Sequence, residues 1–95
     1  MSVTIRPQDL GGLLDLAPRA GSQRIVFDRL IERVPAVVPT QELNEAIGSP
    51  TTEVSSDALM IAISRLRDRL KPRGFDIEQN RNQKGYAIVK LVDNA

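Results

Sequence analysis

A chain of 95 residues is enough for one hydrophobic core and too short for two, and 41% hydrophobic with 26% charged residues is ordinary globular usage, which argues against intrinsic disorder. It has no Cys, His or Trp, which removes the thiol nucleophile, the imidazole base and the Cys/His zinc site, and no apolar run approaches the roughly 20 residues that span a bilayer. The net charge of +1 conceals a polarity: residues 1–64 carry five basic and eight acidic side chains, whereas residues 65–90 carry eight basic (Arg65, Arg67, Arg69, Lys71, Arg73, Arg81, Lys84, Lys90) and three acidic (Asp68, Asp76, Glu78). That concentration suits a polyanionic partner, although a solvated helix end beside a basic turn gives the same count. The stretch from Met1 to Pro7 lacks the apolar core of a signal peptide, so a cytoplasmic location is expected.

Ser2 to Arg6 alternates as a short strand, with Val3 and Ile5 on one side, and Pro7 bars its continuation as an interior strand. Four leucines between Leu10 and Leu16 surround Gly11 and Gly12, and Pro18 and Gly21 follow, so residues 1–21 read as one or two short strands and turns. From Ser22, a candidate N-cap, Val26, Phe27, Leu30, Ile31 and Val34 recur at helical spacing until Pro35; this predicts a helix over 22–34 with Arg24, Asp28, Arg29, Glu32 and Arg33 on its wet face. After an extended run from Ala36 to Pro39, Thr40 caps a second helix over 40–47, its apolar face Leu43, Ala46 and Ile47, and Gly48 stops it. The run Gly48 to Glu53 reads as a loop. Ser55 or Ser56 opens a third helix over 55–71, in which Leu59, Ala62, Ile63, Leu66 and Leu70 form one buried stripe before Pro72 and Gly74 terminate it. Phe75–Gln79 and Tyr86–Leu91 then read as strands of a hairpin over 75–91, joined by the polar six-residue connection from Asn80 to Gly85.

Three helices followed by a hairpin with a basic tip make an α+β domain ordered like the winged helix-turn-helix, in which one helix enters the major groove of DNA. Advancing about 100° per residue from Leu59 places Asp57, Ile61, Ser64 and Asp68 opposite the buried stripe, with Met60 and Arg65 bordering them and Arg67 and Arg69 on opposite shoulders of the stripe. Arg65 is therefore aimed outward, where a guanidinium can grip a guanine edge or a phosphate. Arg67 and Arg69 reach phosphates or cover the core edge with their stems. Ser64 can donate to a base or phosphate, and Met60 can touch a thymine methyl. The bland alternatives are a solvated helix face with an intrahelical pair such as Arg65 with Asp68, and, for Arg81, Asn82 and Lys84, a hairpin loop that is merely polar. Thr40 reads as a cap that also presents amides to a phosphate, and Tyr86 as a core residue at the base of the hairpin.

The stretch from Leu59 to Leu70, containing Ile63-Ser64-Arg65-Leu66-Arg67, together with Lys84-Gly85-Tyr86 and the segment from Val37 to Leu43, resembles the effector domain of OmpR/PhoB-type response regulators over about residues 22–91. The resemblance implies DNA binding by a transcription regulator, commonly as head-to-tail dimers on direct repeats. By position it assigns DNA contacts to Arg65 and Arg67, a phosphate contact to Thr40 and minor-groove insertion to the hairpin tip. The family's tip has an Arg where this chain has Asn82, with Arg81 one place earlier. Its N-terminal four-stranded sheet needs more than the 21 residues available, so a reduced or different platform is expected. The chain holds no receiver domain.

No convergent carboxylate pair, phosphate-cradling glycine loop or nucleophile-base set is present, so catalysis is not expected, nor a cofactor or metal. The reading is a small stand-alone regulator binding double-stranded DNA, with a homodimer on repeated half-sites and contact with RNA polymerase as compatible further partners. The alternatives are a winged helix used as a protein-interaction module, with Met60 and Ile61 amid arginines, or the DNA-binding fragment of a longer regulator.

Overall fold

A computed structural model describes residues 2–49 and 56–92. Its sheet is organised by the last strand. β1 (Ser2–Thr4), β2 (Val38–Pro39) and β3 (Phe75–Asn80) each pair antiparallel with β4 (Gly85–Leu91). β3 follows β4 along its whole length, from Phe75 opposite Lys90 to Asn80 opposite Gly85. On the other edge β1 and β2 lie end to end, with Thr4 opposite Val89 and Val38 opposite Tyr86. One face of the β3–β4 ribbon therefore presents Phe75, Ile77, Tyr86 and Ile88, all buried, and the helices pack there.

The N-terminal segment differs from its sequence reading. After β1, a 3-10 turn over Pro7–Asp9 leads into a short helix, α1 (Leu10–Leu14), where strands and turns were expected. Glycine's low helix propensity is overridden by packing: the helical turn sends Leu13 into the core with Leu10 against it, and leaves Gly11 and Gly12 exposed. Asp9 fixes the turn, accepting from the Arg6 amide at 3.0 Å and from Lys90 Nζ at 3.0 Å, which ties it to β4. The N-terminal platform is thus one strand and one short helix among the described residues.

α2 (Gly21–Arg33) buries Val26, Phe27 and Leu30 and ends before Pro35. It starts one residue before the expected cap: Gly21 has φ of +80°, a value that favours glycine, and Ser22 lies within the helix. α3 (Thr40–Ala46) is stopped by Gly48 at φ of +77°, with Gly48 and Ser49 donating back to Glu45 and Asn44 carbonyls. α4 (Asp57–Leu70) buries Leu59, Ala62, Ile63, Leu66 and Leu70, packs on α2 and β3, and runs into a 3-10 turn over Lys71–Arg73. Most of the expected loop after Gly48, and Ser55 as a helix start, lie outside the described residues. Among those described, no helix is long and apolar enough to cross a membrane, and no cluster of carboxylates could hold a metal.

Candidate nucleic-acid interface

The register of α4 is set at its first turn. Ser56 is the N-cap: its hydroxyl accepts from the Leu59 amide at 3.1 Å and donates to Asn44 Oδ1 at 2.9 Å, and its own amide donates to the same oxygen at 3.3 Å. Asn44 is fully buried on α3, so the end of one helix holds the start of the next. A polar residue in that position would be costly without partners; here it ties α3 to the cap of α4. Nothing in the sequence reading singled it out, because its role appears only once Ser56 is brought beside it.

With the stripe buried, α4 presents Asp57, Met60, Ile61, Ser64, Arg65 and Asp68 to solvent. Met60 and Ile61 are 55% and 54% exposed. The two arginines on the shoulders reach in opposite directions and are both engaged. Arg67 reaches β3, where Nε donates to Asp76 Oδ1 at 3.0 Å and Nη2 to Oδ2 at 3.5 Å. Arg69 turns the other way and donates to the Leu16 carbonyl and, at 3.3 Å, to that of Ala17, tying α4 to the segment that follows α1.

These contacts redraw the charge map. Of the eight basic residues in 65–90, Arg67 and Lys90 are paired with carboxylates and Arg69 holds backbone carbonyls. The side chains of Arg65, Lys71, Arg73, Arg81 and Lys84 have no hydrogen-bond or ion-pair partner among the described residues, and all five are exposed. Arg65 lies at the rim of a groove between α4 and the start of α2, with Gly21, Ser22, Ala58 and Ile61. Met60, Ser64, Arg67 and Lys71 line a second groove, between α4 and the hairpin residues Gln79 and Tyr86.

The hairpin connection is shorter than its sequence suggests, because Asn80 and Gly85 pair as the last rungs and only 81–84 turn. Asn80 Oδ1 accepts from the Gln83 amide at 2.9 Å, and Lys84 adopts φ of +50°. Gly85 is obligatory: a β-carbon there would lie 2.2 Å from the Val38 carbonyl oxygen. β2 passes so close that the Thr40 amide donates to the Lys84 carbonyl at 2.8 Å. Arg81, Asn82 and Lys84 are exposed on this pinned turn, and Tyr86 is buried at its base.

Thr40 departs most from expectation. It is the first residue of α3, the cap position is Pro39, and no side-chain capping bond forms. Thr40 is 4% exposed and its amide is taken by Lys84, so it offers no free amide to a phosphate. The start of α3 is instead a brace for the hairpin tip.

The site thus comprises an exposed helix face about 20 Å long, at 1.5 Å per residue, and a braced basic turn, with five unpaired cations spread over α4, the Lys71–Arg73 turn and the hairpin tip. Comparisons of the chain with protein-family models, with curated proteins and with solved structures give no match, so a functional reading rests on this sequence and geometry.

Proposed function

We propose that the protein binds double-stranded DNA sequence-specifically as a transcription regulator of winged helix-turn-helix architecture, with α4 in the major groove and the 81–84 turn on an adjacent groove or the backbone. The observation that carries this is the partition of the basic residues: Arg67, Arg69 and Lys90 are engaged within the domain, and Arg65, Arg81 and Lys84 are among those that remain unpaired on exposed ground. A helix with its side chains is about 10–12 Å across, which matches the roughly 12 Å major groove. Arg65, Ser64 and Met60 supply the groups that read base edges, while Arg81, Lys84 and Asn82 hold the backbone. Arg69 is assigned to holding the N-terminal segment and Thr40 to bracing the turn.

Selection of bound duplexes from a random library, read at two salt concentrations, tests this. The expected result is an enriched motif whose retention falls steeply with salt, because phosphate neutralisation releases counterions. No retention at low salt would refute it. The exposure of Met60 and Ile61 favours one other reading, a protein-interaction module, in which a partner is lost on Ile61→Asp while no duplex is bound.

A further inference from the structure

We infer that Asp76 is a specificity-determining positioning residue: it holds the Arg67 guanidinium against β3, which leaves Nη1 as that residue's unengaged donor for DNA and masks a charge that would otherwise bind any phosphate. This rests on the DNA-binding reading above.

The geometry is that of a fixed acceptor and a directed donor. Asp76 has a side chain only 13% exposed, and its Oδ1 is itself held by the Ile77 amide at 2.8 Å. The same oxygen thus accepts from the strand's own backbone and from the arginine. Arg67, 44% exposed, meets it sideways through Nε and Nη2. A guanidinium gripped along that edge keeps Nη1 unengaged, and its plane is oriented by a bond of 3.0 Å and a longer contact of 3.5 Å. Arg67 lines the groove shared by Met60 and Ser64 as well as one shared by Val37, Asp76 and Ala87, so the paired guanidinium borders the exposed face of α4 on one side and the sheet on the other. Arg65 has no such partner, so the three arginines of α4 differ in kind: Arg65 is free to meet a phosphate or a base, Arg67 is paired with a carboxylate, and Arg69 is taken by the Leu16 and Ala17 carbonyls. Pairing with Asp76 removes one unit of non-specific attraction while preserving a directed hydrogen-bond donor, which raises discrimination more than affinity.

The test compares the wild type with Asp76→Asn and Asp76→Ala, using the tightest duplex recovered from the selection and a shuffled duplex of the same composition. Asp76→Asn retains an oxygen for the Ile77 amide and so preserves the strand, while thermal melting reports the folded fraction of each variant. The expected result is a fall of about tenfold in the ratio of selected to shuffled affinity, with shuffled-duplex binding tightened. The slope of log affinity against log salt on the shuffled duplex should steepen by about 0.9, the signature of one more phosphate contact. A merely structural role would weaken both duplexes by one factor and leave the ratio and the slope alone. If the wild type prefers its selected duplex and both variants keep its ratio and slope, the inference is overturned while DNA binding stands. If the wild type retains no duplex, the DNA-binding reading falls and the inference with it.

Discussion

Replacing Gly85 by alanine puts a methyl group where the backbone of β2 already runs. The added carbon would sit 2.2 Å from the Val38 carbonyl oxygen, 2.8 Å from its carbonyl carbon and 2.7 Å from Val37 Cγ1. Two of those three atoms are main chain, so no rotamer change relieves the clash and β2 must withdraw. Overpacking of this kind costs about 1–3 kcal/mol, and withdrawal also threatens the Thr40–Lys84 backbone bond, a further ~1 kcal/mol. A loss of about 2–4 kcal/mol from a domain of this size lowers the melting temperature by about 10–25 °C. The same substitution at Gly11 is the internal control. That residue is helical with negative φ, and its β-carbon would meet nothing within 4 Å, so Gly11→Ala should stabilise by about 0.4–1 kcal/mol. Thermal melting followed by circular dichroism, with urea titration to check that the m-value is unchanged, reads both. Gly85→Ala melting within a degree or two of the wild type would refute the close approach of β2 to the hairpin.

Asn44→Ala should cost about 2–3 kcal/mol by stripping the Ser56 amide and hydroxyl of their shared acceptor, and hydrogen exchange at Leu59 and Met60 should rise before that in β4 does. The Arg6 amide, then Lys90, hold the Asp9 carboxyl below its ordinary value of 3.8, so Asp9 contributes stability that is present above that pH and lost as pH falls through its lower native value; Asp9→Asn should flatten the acid limb of a stability–pH curve below about pH 4. On duplex DNA, Arg65→Ala should weaken the selected site by about 10- to 100-fold and a shuffled one far less, whereas Lys84→Ala should weaken both alike and reduce the salt slope by about one, as paired titrations will show.

How far the sequence reaches can be judged residue by residue. The α4 stripe is legible because Leu59, Ala62, Ile63, Leu66 and Leu70 obey one period, and the same rotation places Arg67 and Arg69 on opposite sides. What each arginine grips is not legible: the carbonyl taken by Arg69 lies 53 residues away, and Asp76 reads as one more strand carboxylate until it is seen held by Ile77. Gly85 is visible as a residue before a tyrosine, but the reason for it is the passage of β2, a short extended run whose pairing follows from no local pattern. Gly11 and Gly12 mislead in the other direction, because local propensity gives way to the burial of Leu13. Thr40 has the composition of a cap, and its amide is instead drawn to the Lys84 carbonyl. The errors therefore concentrate where a residue's partner lies far away along the chain.

The most direct test of DNA binding through α4 and the hairpin turn is a nitrogen–proton correlation spectrum of the labelled protein titrated with its selected duplex. The largest shift changes are expected at Met60, Ile61, Ser64 and Arg65 and across 81–84, with α1 and β1 nearly unmoved. Changes centred instead on the sheet face around Val37, Ala87 and Val89, or no changes at any duplex concentration, would contradict DNA binding through α4 and the turn.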